Sequence, residues 1–147
     1  AWVFGAHGAN FVKTMLRLAA ERPVLRVVVD QRGCPTAAAD IAAALTVIAG
    51  HIEKGEAKWG TYHFAGAGAT SWHDFAEAIF ELAAPLLAAC PQVEPITTDQ
   101  YPTPAQRPMN SVLDCRKIEA AFGIAQPPWR VGLASVIREV LDTTPQK

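Results

Sequence analysis

The segment 101–114, YPTPAQRPMNSVLD, holds the side chains with the clearest capacity for binding chemistry. Pro102, Pro104 and Pro108 fix φ and remove three backbone donors, so it is neither helix interior nor central strand. It should run as a stiff, extended strip over a surface. Arg107 lies between Pro104 and Pro108. A guanidinium on a pre-ordered backbone suits a phosphate, because its planar fork matches the oxygens and less entropy is lost on binding. Asn110 and Ser111 add neutral donors and acceptors. The same residues fit equally well a proline-rich surface loop with a solvated arginine. Asn10, Lys13, Gln31 and Thr36 complete a set of polar side chains suited to a phosphorylated ligand.

No catalytic constellation accompanies them. The sequence has no G-x-S-x-G, no P-loop and no paired-carboxylate motif. Neither Tyr62 nor Tyr101 has a lysine four residues on. GAGAT at 66–70 lacks the G-x-G-x-x-G spacing of a dinucleotide turn. His7, His51, His63 and His73 show neither HExxH nor Cys/His spacing, which weighs against a zinc site. No acid, base, nucleophile or metal centre is assigned.

The elements that must position these residues alternate between strand and helix. Residues 1–4 read as a short buried strand, and 5–8 as a glycine turn. Asn10 is placed to cap a helix, in which Phe11, Met15, Leu18 and Ala19 recur at helical spacing; Pro23 stops it. The β-branched run 25–29 reads as a buried strand. Residues 30–36 follow as a loop at a strand's C-terminal end, where α/β sheets bind ligands, or equally as a plain connection. An alanine-rich helix over 37–50, packed closely on a sheet, ends at Gly50 or Gly55. A third strand is expected at 61–65. Ser71 and Asp74 resemble a capping box for a helix whose buried face carries Phe75, Ile79 and Leu82. In its first turn Trp72 is read as a packing anchor and His73 as solvated. An edge strand at 93–97 contains Pro95. Asp114 caps a short helix at 116–122 that Gly123 ends. A last helix at about 130–142 carries Leu133, Val136, Ile137, Val140 and Leu141, with Trp129 clamping its start and 143–147 fraying. The class is α/β, with a sheet too small and broken for a complete doubly wound domain.

Composition sets further bounds. The 147 residues are half hydrophobic, enough for one domain with a real core. A net charge of −1 with no basic run argues against nucleic acid. No apolar run approaches membrane-spanning length, and the start lacks a signal-peptide pattern. Cys34, Cys90 and Cys115 are odd in number and fit reduced thiols in a cytoplasmic protein better than a disulfide framework. A chain seldom begins in mid-strand, so the opening AWVFG is expected to belong to a longer protein.

Four stretches, in order and at fitting spacing, carry a family resemblance: WVFGAHGANFVKTMLRLAAER at 2–22, LRVVVDQRGCPT at 25–36, YHFAGAGATSWHDFAEAIFE at 62–81 and YPTPAQRPMNSVLDCRKI at 101–118. Together they resemble the C-terminal half of the dTDP-4-dehydrorhamnose reductases, which are extended short-chain dehydrogenases/reductases. The resemblance implies the C-terminal part of such an enzyme: an incomplete Rossmann-type sheet plus a small substrate-binding lobe. The whole enzyme reduces the C4 keto group of dTDP-6-deoxy-L-lyxo-4-hexulose with NADPH or NADH, giving dTDP-L-rhamnose for bacterial cell-surface polysaccharides. Hydride comes from the nicotinamide and a proton from the Tyr of a Tyr-x-x-x-Lys pair.

That pair and the N-terminal glycine turn are absent here. The resemblance therefore implies a half that binds the dTDP-sugar, binds cofactor poorly and is inactive alone. It places Trp2 at the sugar end of the pocket, close to the nicotinamide. Asn10, Lys13, Gln31, Gly33, Pro35 and Thr36 fall on the substrate side, and Arg107 on the diphosphate with Asn110 and Ser111 alongside. Faces left open on 1–4 and 25–29 would favour self-association. Two other readings stand beside this one: a non-enzymatic module like the regulatory subunit of methionine adenosyltransferase, and a reductase or epimerase of another nucleotide sugar.

Overall fold

The computed structural model describes residues 1–56 and 58–142; the expected fraying of 143–147 lies outside them. Among the described residues six short strands are interspersed with five α-helices. They are β1 (Trp2–Phe4), α1 (Phe11–Ala19), β2 (Val24–Val28), β3 (Arg32–Gly33), β4 (Pro35–Ala37), α2 (Ala38–Glu53), β5 (Thr70–Ser71), α3 (Trp72–Ala83), β6 (Gln92–Ile96), α4 (Arg116–Phe122) and α5 (Trp129–Asp142). The strands form three two-stranded pieces: β1 parallel to β4, β2 parallel to β6, and β3 antiparallel to β5. This is the small, broken α/β sheet that the alternation predicts. No helix of the described residues is long and apolar enough to cross a membrane.

Local chemistry accounts for most of the boundaries. The Asn10 side chain accepts from the Lys13 backbone N–H and donates to the Gly5 carbonyl at 2.7 Å, capping α1 and tying down the glycine turn before it. Ser71 Oγ accepts from the Asp74 N–H at 3.0 Å and caps α3. Asp114 accepts from the Arg116 N–H at 3.0 Å, but the cap position of α4 is Cys115, which makes no side-chain cap bond, so the expected Asp114 cap falls one residue early. Gly123, at φ +68°, takes the left-handed position that ends α4. Gly50 stays inside α2, and Gly55, at φ +75°, lies just beyond its end.

The main core gathers Phe4, Val12, Phe75, Ile79, Leu133 and Ile137, so α1, α3 and α5 close over β1, β2 and β4. A second cluster holds Cys34, Ala65, Cys115, Ile118, Phe122 and Ile124 under α2 and α4. All three cysteines are free, and burial pushes the Cys34 and Cys115 thiols above their ordinary range.

Several expectations need correction. Residues 61–65 are not a strand, although Ala65 is fully buried; the short pairing falls instead at 70–71, where β5 meets β3. Residues 30–36 are not a bare loop, because they contain β3 and the first two residues of β4. The run 25–29 is not buried throughout: Leu25 and Val27 point inward while Arg26 is exposed, since β2 has β6 as its one partner and an open face. Helix α2 does not pack closely along its length; Ala44 is its one buried residue and Leu45 is 60% exposed. His73 is buried at 9% exposure, its Nδ1 3.1 Å from Asp74 Oδ1. In α1, Val12 and Leu16 lie deeper than Phe11 and Leu18.

Candidate functional site

A cavity of about 960 Å³ opens between α1, β2 and the proline segment, within the size range of small-ligand sites. Its apolar wall is built from Trp2, Phe11, Met15, Leu25, Val27 and Trp72. The indoles of Trp2 and Trp72 stack with centroids 3.7 Å apart, and Phe11 leans on Trp72 at 4.7 Å. The polar side is supplied by Gln31, Gln100, Tyr101, Thr103, Arg107 and Ser111.

Four of the ten sequence-predicted residues thus meet at one cavity: Trp2, Gln31, Arg107 and Ser111. The segment bearing Arg107 is exposed from 101 to 110, and its end is clamped. The Arg32 N–H donates to the Met109 carbonyl at 2.8 Å, while the Ser111 N–H and hydroxyl donate to the Arg32 carbonyl at 2.8 and 3.0 Å. Asn110 bridges Arg32 in parallel, and its side chain accepts from the Val112 N–H. Asn110 and Ser111 therefore fasten the segment to β3, and Ser111 also faces the cavity.

The other candidates lie around this site rather than on its wall. Gly33 sits beneath Trp2. A Cβ at Gly33 would fall 2.3 Å from Trp2 Cε2, so the indole reaches its place because this residue has no side chain. Pro35 and Thr36 are fully buried in β4. Thr36 Oγ1 donates to the Cys34 carbonyl and accepts from the Gly66 N–H, which spends the hydroxyl inside the fold. Asn10 is engaged as the α1 cap. Lys13 Nζ donates to the Ala6 carbonyl at 3.0 Å, bracing the 5–10 turn.

Among the cavity residues that escaped the sequence reading are Arg22 and Arg26. Among the described residues no carboxylate pairs with either of them or with Arg107. Arg26 had a legible signal, since it sits between the inward Leu25 and Val27 and so belongs to the other face of β2. Three unpaired guanidiniums around an aromatic-walled cavity suit an anionic ligand with a flat ring.

The glycines at 66–70 do not form a dinucleotide cradle. A Cβ at Gly66 would lie 2.3 Å from the Pro35 carbonyl oxygen, and one at Gly68 3.2 Å from Trp129 Nε1. Both serve close packing. Tyr62 donates its hydroxyl to the Lys58 carbonyl and carries Lys117 over its ring face at 4.7 Å, which is not the arrangement of a proton donor. Among the described residues, the 66–70 glycines and Tyr62 thus supply neither a dinucleotide turn nor a proton donor.

Parallel strand pieces flanked by helices, with polar groups gathered at strand ends, are the architecture of Rossmann-type extended short-chain dehydrogenases/reductases. Within that class, residues 1–142 match the RmlD substrate binding domain, and the chain belongs to that family. It is 51% identical over 139 residues to a dTDP-4-dehydrorhamnose reductase of Aggregatibacter actinomycetemcomitans, covering 92% of this chain and 47% of that protein. Two solved structures of dTDP-4-dehydrorhamnose reductases superpose with a TM-score of 0.81. The one from Clostridium acetobutylicum is 37% identical over 93% of this chain and 45% of its own. The one from Bacillus anthracis, in complex with NADP, is 34% identical over 94% and 46%. The chain spans about half the length of the relatives it matches.

Proposed function

We propose that this chain is the substrate-binding half of a dTDP-4-dehydrorhamnose reductase. It grips the dTDP-sugar while a further half, outside this sequence, brings NADPH or NADH and the Tyr-x-x-x-Lys proton donor. The observation that carries this reading is the cavity where Trp2, Gln31, Arg107 and Ser111 meet. Arg107 holds the diphosphate there, and Trp2 closes the sugar end. The chain by itself binds cofactor poorly and turns over no substrate. The free cysteines fit a cytoplasmic enzyme, and the exposed Val3, Val24 and Val29 fit burial against the missing half or a second copy.

The test is calorimetric titration of the encoded full-length protein with dTDP, together with NADPH oxidation in the presence of dTDP-6-deoxy-L-lyxo-4-hexulose. Saturable binding and turnover are expected. Binding without turnover would favour a regulatory module; turnover confined to another nucleotide sugar would reassign the substrate.

A further inference from the structure

Strands β2 and β6 run parallel, so their C-terminal ends lie side by side at the edge of the cavity. Asp30 follows β2 and Thr98 follows β6. The Thr98 N–H donates to both Asp30 carboxylate oxygens, at 3.1 and 3.0 Å, and the Thr98 hydroxyl donates to Oδ1 at 2.7 Å. These bonds hold the Asp30 carboxyl below its ordinary range, so at neutral pH it is ionised and can only accept. A hydroxyl has one proton, and that of Thr98 is committed to Asp30. What Thr98 Oγ1 offers its other neighbour is a lone pair. Gln31 Nε2 meets it at 3.1 Å. The flipped amide would set oxygen against oxygen, and Gln31 is only 9% exposed, so water cannot relieve the conflict.

We infer that Thr98 and Asp30 are positioning residues that lock the Gln31 amide, so that its carbonyl oxygen is presented to the cavity as an acceptor. This rests on the reading of the cavity as a dTDP-sugar site. Gln31 then selects a ligand group that donates a hydrogen bond. On a dTDP-sugar such a group is either the imide N–H of thymine or a sugar hydroxyl. Gln31 touches the ligand; Thr98 and Asp30 act through it.

The experiment uses the encoded full-length protein and two probes, dTDP and dTDP-L-rhamnose, by calorimetry. Thr98→Val removes the hydroxyl and keeps the bulk; Asp30→Asn lets the amide at 30 donate and frees the Thr98 proton to turn toward Gln31. Each should raise Kd by about three- to tenfold, with KM rising and kcat nearly unchanged. Thr98→Ser should restore binding. In a Gln31→Met background, Thr98→Val should cost nothing further. A loss already seen with dTDP assigns the donor to the base; a loss seen only with dTDP-L-rhamnose assigns it to the sugar. A wild type that binds both probes, with Thr98→Val and Asp30→Asn binding as tightly, overturns the lock alone. So does an undiminished effect of Thr98→Val in the Gln31→Met protein. A wild type that binds neither probe overturns the functional reading and the lock with it.

Discussion

Trp2 lies on Trp72 with their planes 11° from parallel, joining the first strand of the chain to the first turn of α3. The contact makes one wall of the cavity and one corner of the core, since Phe11 and Phe75 continue the aromatic cluster from Trp72. Trp72→Ala should destabilise the fold by about 3 kcal/mol, at the low end for a tryptophan because the ring is only partly buried. It should also expose Trp2. Chemical denaturation gives the first quantity, and a red shift of the remaining tryptophan emission reports the second.

Gly33 admits Trp2 to that stack. Gly33→Ala puts a methyl where the indole edge now lies, so the ring must move or the backbone must shift. A loss of about 1–3 kcal/mol is expected, as for overpacking elsewhere. The near-ultraviolet dichroism of the tryptophan pair should fall with it. Unchanged dichroism and stability would mean that the indole has another place to go.

Arg107→Ala in the full-length protein should weaken dTDP binding about ten- to hundredfold, the worth of a charged hydrogen bond to a phosphate. The thermal midpoint should not move, because residues 101–110 are exposed. Unaltered affinity by calorimetry would remove Arg107 from the site.

Thr36→Val should act in the opposite way, lowering stability and sparing the ligand contacts. It leaves the Gly66 N–H without its acceptor in a fully buried setting, at a cost of about 1–3 kcal/mol. Equilibrium unfolding measures it, and a stability equal to wild type would show that the N–H finds another acceptor.

The Asp30–Thr98 lock has a definite pH dependence. The folded carboxyl is held below its ordinary value by the Thr98 N–H and hydroxyl. Its contribution to stability is therefore complete above the unfolded value, near pH 4, and is lost as pH falls through the depressed folded one. Asp114, held down by the Arg116 guanidinium and N–H, has the same sign. Thermal melts of wild type and Asp30→Asn should differ at pH 6 and converge only once the pH has fallen below the depressed folded value. A difference that persists in strong acid would rule out the carboxylate as its source.

Helix ends were the most legible part of the sequence. Asn10 and Ser71 each cap a helix by accepting from a first-turn N–H, and Asp114 misses the cap of α4 by one residue; capping depends on chemistry only a few residues long. Strand partners were less so. The run 61–65 has strand composition but no ladder, while 32–33 and 70–71 pair through contacts almost forty residues apart. Burial of polar residues was least legible. Thr36 has the composition of a ligand contact and His73 that of a surface residue, yet tertiary packing encloses both. Arg107 and Gln31 line one cavity, and of the two further arginines there Arg26 had its signal in the alternation of β2, while Arg22 gave none until α1 and β2 lay side by side.

Strand β6 forms the outer margin of its two-stranded piece, and Pro95 stands in it opposite Val27. Gln92 N–H bonds inward to Pro23, and Ile96 accepts from the Val29 N–H. By alternation, residues 92, 94 and 96 face β2 while 93 and 95 face away. The donor that Pro95 lacks is thus on the free side. A chain arriving there to extend the ladder would find Val93 as the single amide across 93–95, too few to hold a strand in register. The margin is closed to strand addition by one imino acid, at no cost to the bonds with β2. Pro95 thereby disfavours growth into fibrils by that route.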